Sequence, residues 1–255
     1  MSLLHAKSIS VSIESHSVIS NLDISINRGE CWGILGANGV GKTTLLHVLA
    51  GLRKADAGEV CVDGHPISDF RRKELYKRVG ILFQDSYDSF PTTVLESALT
   101  GRFPHLPYWA INSTEDIRLC MDALAEVSLS NMASREVCTL SGGERRRLAL
   151  ATLIIQHPKL WLLDEPTNHL DIHYQTSLLN LIVNKITTLS EGLLMSLHDV
   201  NLLVRFCSHA LLMIDHETQI HGEISEVITI ENLEILYQHS IRSVNDGGRI
   251  LYYLA

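Results

Sequence analysis

The stretch CWGILGANGVGKTTLLHVL, residues 31–49, decides the fold. Its opening run, Cys31 to Leu35, is continuously apolar, the pattern of a strand buried on both faces. Its end, Thr43 to Leu49, reads as an apolar helix. Between them, Gly36, Gly39, Gly41, Lys42 and Thr43 fit the pattern G-x-x-x-x-G-K-[ST]. Glycines let backbone N–H groups close around phosphate oxygens, where a side chain would block the approach. The following helix aims the positive end of its dipole at the same anion. Lys42 is then placed to reach the β- and γ-phosphates, and the Thr43 hydroxyl to ligate Mg²⁺. Gly36, Asn38, Gly39, Gly41, Lys42, Thr43 and Thr44 are the expected nucleotide contacts. A glycine-rich turn can match this pattern by chance, but here the flanking strand and helix stand where a phosphate loop requires them.

Moving outward, Ile9, Val11 and Ile13 alternate with polar residues, as do Leu22, Ile24 and Ile26. They predict two half-exposed antiparallel strands. From about Asp85 to His157 the pattern turns mostly helical. Ser113-x-x-Asp116 resembles a capping box with Asp in place of Glu or Gln, and it precedes a stripe of Ile117, Met121, Leu124 and Val127 assigned to the core. The apolar run Leu148 to Ile155 suits a buried helix. Leu160 to Leu163, Leu193 to Leu197 and Ala210 to Ile214 then read as buried strands, the first two parallel. No internal repeat or linker interrupts the chain. The expected architecture is an α/β P-loop NTPase: a parallel-sheet core, antiparallel strands on its N-terminal side and a helical insert. All 255 residues are read as one domain, with the insert at about 86–157.

Composition narrows the function. The chain is 45% hydrophobic and 20% charged, enough apolar material for a substantial core. Lysine and arginine total 21 against 29 acids, a net charge of −8, which argues against a nucleic-acid partner. Cys31, Cys61, Cys120, Cys138 and Cys207 are scattered without a C-x-x-C pair, as expected of reduced thiols in a cytosolic protein. The opening MSLLHAKSIS lacks the charged and apolar regions of a signal peptide, and no stretch approaches the roughly 20 apolar residues of a membrane span.

Two further motifs carry chemistry. Asp164 and Glu165 end the apolar run Leu160 to Leu163. Asp164 can hold Mg²⁺ through water, while Glu165, aimed differently, can polarise an attacking water. Ser141, in Leu140-Ser141-Gly142-Gly143-Glu144, can cap a helix whose start is left open by two glycines, a second anion cradle. One nucleotide does not need two cradles from one chain.

The phosphate loop, LSGGE, and the Asp164-Glu165 pair followed by Pro166, Thr167, Asn168, His169, Leu170 and Asp171 resemble the nucleotide-binding subunits of ATP-binding cassette (ABC) transporters over nearly the whole chain. That resemblance implies two subunits packed head to tail, with Ser141, Gly142 and Gly143 of one closing over ATP held by the other. It implies that Gln84 senses Mg²⁺ and water, that His198 contacts the γ-phosphate, and that Asp171 lies in the loop crossing between subunits. The catalytic set is then Glu165, His198 and Gln84, and the Mg²⁺ set Thr43, Gln84 and Asp164. Family members often carry an aromatic residue against adenine; here that position falls at Ile13, with His16 nearby. His169 and His173 bracket Asp171 like metal ligands, but the family role of that turn and the lack of a third histidine close in sequence weigh against a metal site.

Within the family, Gly101-Arg102-Phe103-Pro104-His105 and the tail from Glu226 through Tyr237 to Gly247-Gly248 are similar to the ATPases of iron-siderophore, haem and cobalamin importers. This implies a homodimer on the cytoplasmic face of the cell membrane, held peripherally by integral permease subunits and served indirectly by a substrate-binding protein. Asp88, Phe90, Arg102 and Phe103 are expected to face the permease. The competing reading is a soluble assembly ATPase such as that of iron–sulfur cluster assembly; a pure nucleotide-binding regulator is disfavoured by Glu165 and His198 together.

Overall fold

The N-terminal alternation forms β1 (Ser2–Ile13) and β2 (His16–Asn27), paired antiparallel with Leu4 opposite Ile26 and Ile9 opposite Leu22. This is a computed structural model, and it describes residues 2–14, 16–84, 91–107, 112–168 and 170–255. The chain then enters β3 (Cys31–Gly36), the glycine-rich loop and α1 (Lys42–Leu49). Next come β4 (Ala57–Val62), β5 (His65–Pro66), α2 (Arg72–Tyr76) and β6 (Val79–Leu82). The helical part supplies α3 (Val94–Leu99), α4 (Thr114–Glu126) and α5 (Gly142–Gln156). The α/β alternation resumes with β7 (Leu160–Leu163), α6 (Ile172–Leu189), β8 (Gly192–Ser196), α7 (Val200–Phe206) and β9 (His209–Met213). The chain closes with β10 (Gln219–Glu223), α8 (Ile224–Val227), α9 (Ile230–Tyr237) and the hairpin β11 (Ile241–Asp246) and β12 (Arg249–Leu254).

Among the described residues, one sheet has the order β2-β1-β4-β5 and a larger one the order β10-β9-β3-β8-β7-β6. From β9 to β6 the larger sheet is parallel, with β10 antiparallel at its edge. Successive side chains on a strand point to opposite faces, and two cores follow from that rule. Leu35, Leu163, Leu193 and Met195 face one layer with α3 to α6, while Ile34, Leu162 and Leu194 face α1 and the antiparallel sheet. Both faces are covered, so β7 and β8 are buried at every residue, as continuous apolar runs predict. No helix among the described residues is long and apolar enough to cross a membrane.

Register carries this scaffold to the site. Leu82 pairs with Leu163, Leu163 with Met195, and Ile34 with Ser196, so the C-terminal ends of β6, β7, β8 and β3 finish on one edge. A parallel sheet binds its ligands off this edge. Gln84, Asp164 and Glu165, His198 and the phosphate loop each follow one of these four ends.

The expected stripe on α4 needs correction. The buried face runs through Asp116, Cys120, Ala123, Leu124 and Val127, while Ile117 is 40% exposed. Asp116 takes the inward position of the first turn. Its Oδ2 accepts from the Ser113 N–H at 2.8 Å, completing the capping box, and its Oδ1 accepts from Arg102 Nε at 2.7 Å. That pairing holds Arg102 against α4 with its side chain 21% exposed, whereas Phe103 is 68% exposed. Asp88, Phe90 and His169 lie outside the described residues.

The Ser113 and Arg102 hydrogen bonds draw the Asp116 carboxyl down to about 2. Asp116→Ala is expected to destabilise the chain by about 2–4 kcal/mol at neutral pH, through the lost cap and a stranded Arg102. A folded-state value lowered from 3.8 means this contribution is complete above that pH and is lost as pH falls toward about 2. Urea unfolding of both proteins across that range tests it, and a gap that widens on acidification would contradict it.

Candidate functional site

The phosphate loop folds as its glycines require. Gly39 and Gly41 hold φ of 80° and 112°, a region that glycine enters without strain. A Cβ built on Gly41 would stand 2.4 Å from Val18 Cγ1, so antiparallel strand and loop meet only because that residue is glycine. Lys42 is buried and its Nζ donates to the carbonyls of Gly36 at 2.7 Å and Ala37 at 3.1 Å, arching back along the loop. Burial lowers its pKa, and the charges of Glu165 and Asp164 oppose that fall. Asn38, Gly39, Gly41, Lys42, Thr43, Thr44, Gln84, Glu165, Asn168 and His198 line one cavity of about 410 Å³. The first-turn N–H groups of α1 have no acceptor inside their helix, and Lys42, Thr43 and Thr44 line that cavity. The arrangement fits a polyphosphate.

Behind it, Thr43 Oγ1 donates to Asp164 Oδ2 at 2.6 Å, bringing two hard oxygen donors together at the loop's base. This is the ligand type that Mg²⁺ selects. Ser196, fully buried at the end of β8, donates to Asp164 Oδ1 at 2.7 Å and accepts from the Glu165 N–H at 2.8 Å. One hydroxyl therefore orders both acids.

Glu165 is the convergence point. Its carboxylate accepts from Gln84 Nε2 at 3.0 Å and from Asn168 Nδ2, and lies 2.7 Å from His198 Nε2. Its backbone is left-handed, with φ 47°, uncommon for a residue bearing a Cβ. The two adjacent carboxylates keep separate partners, Thr43 and Ser196 for Asp164 and Gln84 and Asn168 for Glu165. Gln84, Glu165 and His198, three residues picked out far apart in sequence, thus meet at one carboxylate. Ile13, opposite His16 at the end of β1, does not line the cavity.

Ser141, Gly142 and Gly143 lie elsewhere. With Glu144, Arg147, Leu170, Asp171 and Tyr174 they line a second cavity of about 510 Å³. Ser141 Oγ caps α5 by accepting from the Glu144 N–H at 3.3 Å, and the Glu144 carboxylate accepts from the Ser141 N–H at 2.7 Å. Asp171 caps α6 by accepting from Tyr174 N–H at 3.0 Å. The two anion cradles on this chain therefore open into different cavities, and Asp171 sits with the second.

Comparison with known proteins agrees with this geometry. Residues 19–168 match the ABC transporter family. The chain belongs to the ABC transporter family. It is 33% identical over 234 residues to the ferric enterobactin transport ATP-binding protein of Escherichia coli K12, covering 92% of this chain and 86% of that protein. It is 32% identical over 250 residues to a hemin import ATP-binding protein of Escherichia coli O157:H7, covering 96% and 95%. A structure of an inward-facing, putative metal-chelate type ABC transporter superposes with a TM-score of 0.86 at 26% identity, over all of this chain and 97% of that one. This ABC protein accordingly binds ATP and is an ATPase.

Sequence reading missed three residues of the site. Asn168 stands inside a quoted motif but gave no reason to face Glu165 until the turn was folded. Ser196 is an ordinary strand residue in sequence. Arg146 follows the LSGGE motif yet is 5% exposed, in phase with Leu150 and Leu153 on α5; a charge inside a buried helical stripe was the available signal.

Ser196→Ala leaves the Glu165 N–H without its acceptor and Asp164 without one donor. Unfolding free energy should drop by about 1–3 kcal/mol, the cost of a buried unsatisfied group, and hydrolysis should fall with it. Denaturant titration and a phosphate-release assay check both, and an unchanged midpoint would remove Ser196 from the account.

Proposed function

We propose that this ABC ATPase powers an importer of an iron complex, siderophore or haem, or of cobalamin, by closing as a homodimer against a separate integral permease. The observation carrying the mechanism is that Ser141 to Gly143 and the phosphate loop line separate cavities of one chain. Two copies packed head to tail bring each cradle against the other's nucleotide, which gives the second cradle a use. The cargo reading is supported by relatives whose names specify ferric enterobactin and hemin. Cobalamin rests on the tail and the Gly101 to His105 segment alone. A permease places the ATPase on the cytoplasmic face of the cell membrane, with a substrate-binding protein as indirect partner. Relatives named as transport and import ATP-binding proteins favour this reading over a soluble assembly ATPase.

The chemistry follows from residue positions. Gly36, Asn38, Gly39 and Gly41 wrap the phosphates, Lys42 neutralises their charge, and Thr43 and Thr44 present first-turn N–H groups. Thr43, Asp164 and Gln84 would hold Mg²⁺, which when bound offsets phosphate charge. Glu165 accepts the proton of the attacking water. His198 and Gln84, both bonded to Glu165, orient that carboxylate and contact the γ-phosphate region. Ser141, Gly142 and Gly143 of the partner close the site, with Asp171 in the crossing loop. Ile13 offers adenine apolar contact in place of a stacked ring.

Glu165→Gln preserves shape but removes proton acceptance, so steady-state hydrolysis should fall by roughly 10²- to 10⁴-fold. ATP binding should survive, with a nucleotide-held dimer in size-exclusion chromatography. Ser141→Arg should abolish hydrolysis while the monomer's ATP affinity stays near wild type; Lys42→Ala should weaken that affinity. Equal weakening by both substitutions would overturn the two-chain site. Co-purification from membranes tests the transport reading: a soluble scaffold in place of a permease would reverse it.

A further inference from the structure

The guanidinium of Arg146 is almost wholly enclosed and donates to five main-chain carbonyls. Its Nε donates to the Pro166 carbonyl at 3.3 Å, Nη1 to the carbonyls of Phe83 and, at 3.3 Å, of Gln84, and Nη2 to those of Asp164 and, at 2.7 Å, of Glu165. These carbonyls belong to the two segments that carry Gln84 and Glu165. Arg146 itself sits on α5, five positions after Ser141, so a single planar fork links the LSGG helix to both acid and glutamine turns.

The bond to Glu165 has a particular meaning. That residue holds a left-handed backbone, a conformation that persists only where surroundings fix it. Its N–H donates to Ser196 Oγ and its carbonyl accepts from Arg146, so both ends of the strained residue are clamped. The same guanidinium holds the carbonyl of Gln84, and the Gln84 side chain donates its Nε2 to Glu165 Oε2 at 3.0 Å. Loss of the fork frees the two turns to relax independently, and the carboxylate loses its aim. A lysine at this position has one ammonium and no plane, so it can engage part of the carbonyl set; a glutamine reaches less.

We propose that Arg146 is a positioning residue for hydrolysis, fixing from the LSGG helix the backbone that aims Glu165 and Gln84. This rests on Glu165 acting as the base. Arg146 does not itself line the phosphate cavity and reaches it through the main chain of Gln84 and Glu165, so its effect belongs to the rate of the chemical step and not to ATP capture.

The test uses the purified full chain with Arg146→Lys, Arg146→Gln and Glu165→Gln, alone and with Arg146→Gln and Glu165→Gln combined. Circular dichroism establishes folding, a fluorescent ATP analogue reports affinity, and phosphate release gives kcat and KM. Arg146→Gln is expected to lower kcat on the order of 10- to 100-fold, with affinity and KM within about twofold of wild type. Arg146→Lys, the variant that keeps charge and length should Gln impair folding, is expected to retain more kcat than Gln. In the Glu165→Gln background, Arg146→Gln is expected to add no further loss, because it acts through that carboxylate. A kcat near wild type in both Arg146 variants, a loss that multiplies with that of Glu165→Gln, or a fall in affinity matching the fall in kcat would each overturn the proposal. Retained turnover in Glu165→Gln alone would overturn the base assignment instead, and is read from a different protein.

Discussion

The buried carboxylate of Asp164 is the fixed point of this molecule. It ends β7, accepts from Thr43 at the start of α1 and from Ser196 at the end of β8, and its N–H donates to the Leu82 carbonyl at the end of β6 at 2.8 Å. A carboxyl group this enclosed is costly unless hydrogen-bonded, and here each oxygen accepts one bond. Meeting that demand draws three neighbouring strand ends and the phosphate loop into one register. The positions of Lys42, Glu165 and Gln84 are consequences of it.

Those parts of the fold were legible that rest on local rules. The continuous run at Cys31 to Leu35 and the alternation at Ile9 to Ile13 each fall inside an observed strand; β3 ends one residue beyond its run, whereas β1 begins well before its alternation, at Ser2. Helix phase was less legible. The expected stripe holds at Met121, Leu124 and Val127 and fails only at Ile117, because hydrophobic spacing alone cannot tell that a carboxylate will claim the inward position of a first turn. The tail hairpin had a signal as well, since Gly247 and Gly248 both adopt positive φ in the tight turn between β11 and β12.

The site divides in the same way. Motifs with fixed spacing, such as Gly36 to Thr43 and Asp164 to Glu165, announce their chemistry because the chemistry needs consecutive backbone atoms. Residues acting across the fold do not. Ser196 meets Asp164 from another strand, and Arg146 reaches five carbonyls on two segments. Nothing in the residues adjoining them in sequence requires those contacts. Gln84 and His198 occupy a middle ground: unremarkable alone, they gained meaning from the family pattern, and the fold brings both to Glu165.

The strand pairing also governs how the molecule is born. The central strand β3 finds its parallel neighbours far downstream, with Cys31 beside Leu193 and Trp32 beside His209. During synthesis the phosphate-loop strand therefore emerges with both hydrogen-bonding edges unsatisfied, and it stays so until most of the chain has left the ribosome. Closing so long a loop is entropically slow, and an apolar strand left open at both edges invites pairing with other chains. The antiparallel sheet, whose strands all lie before Pro66 or end there, can form first and cover one face of that strand while it waits for β8 and β9.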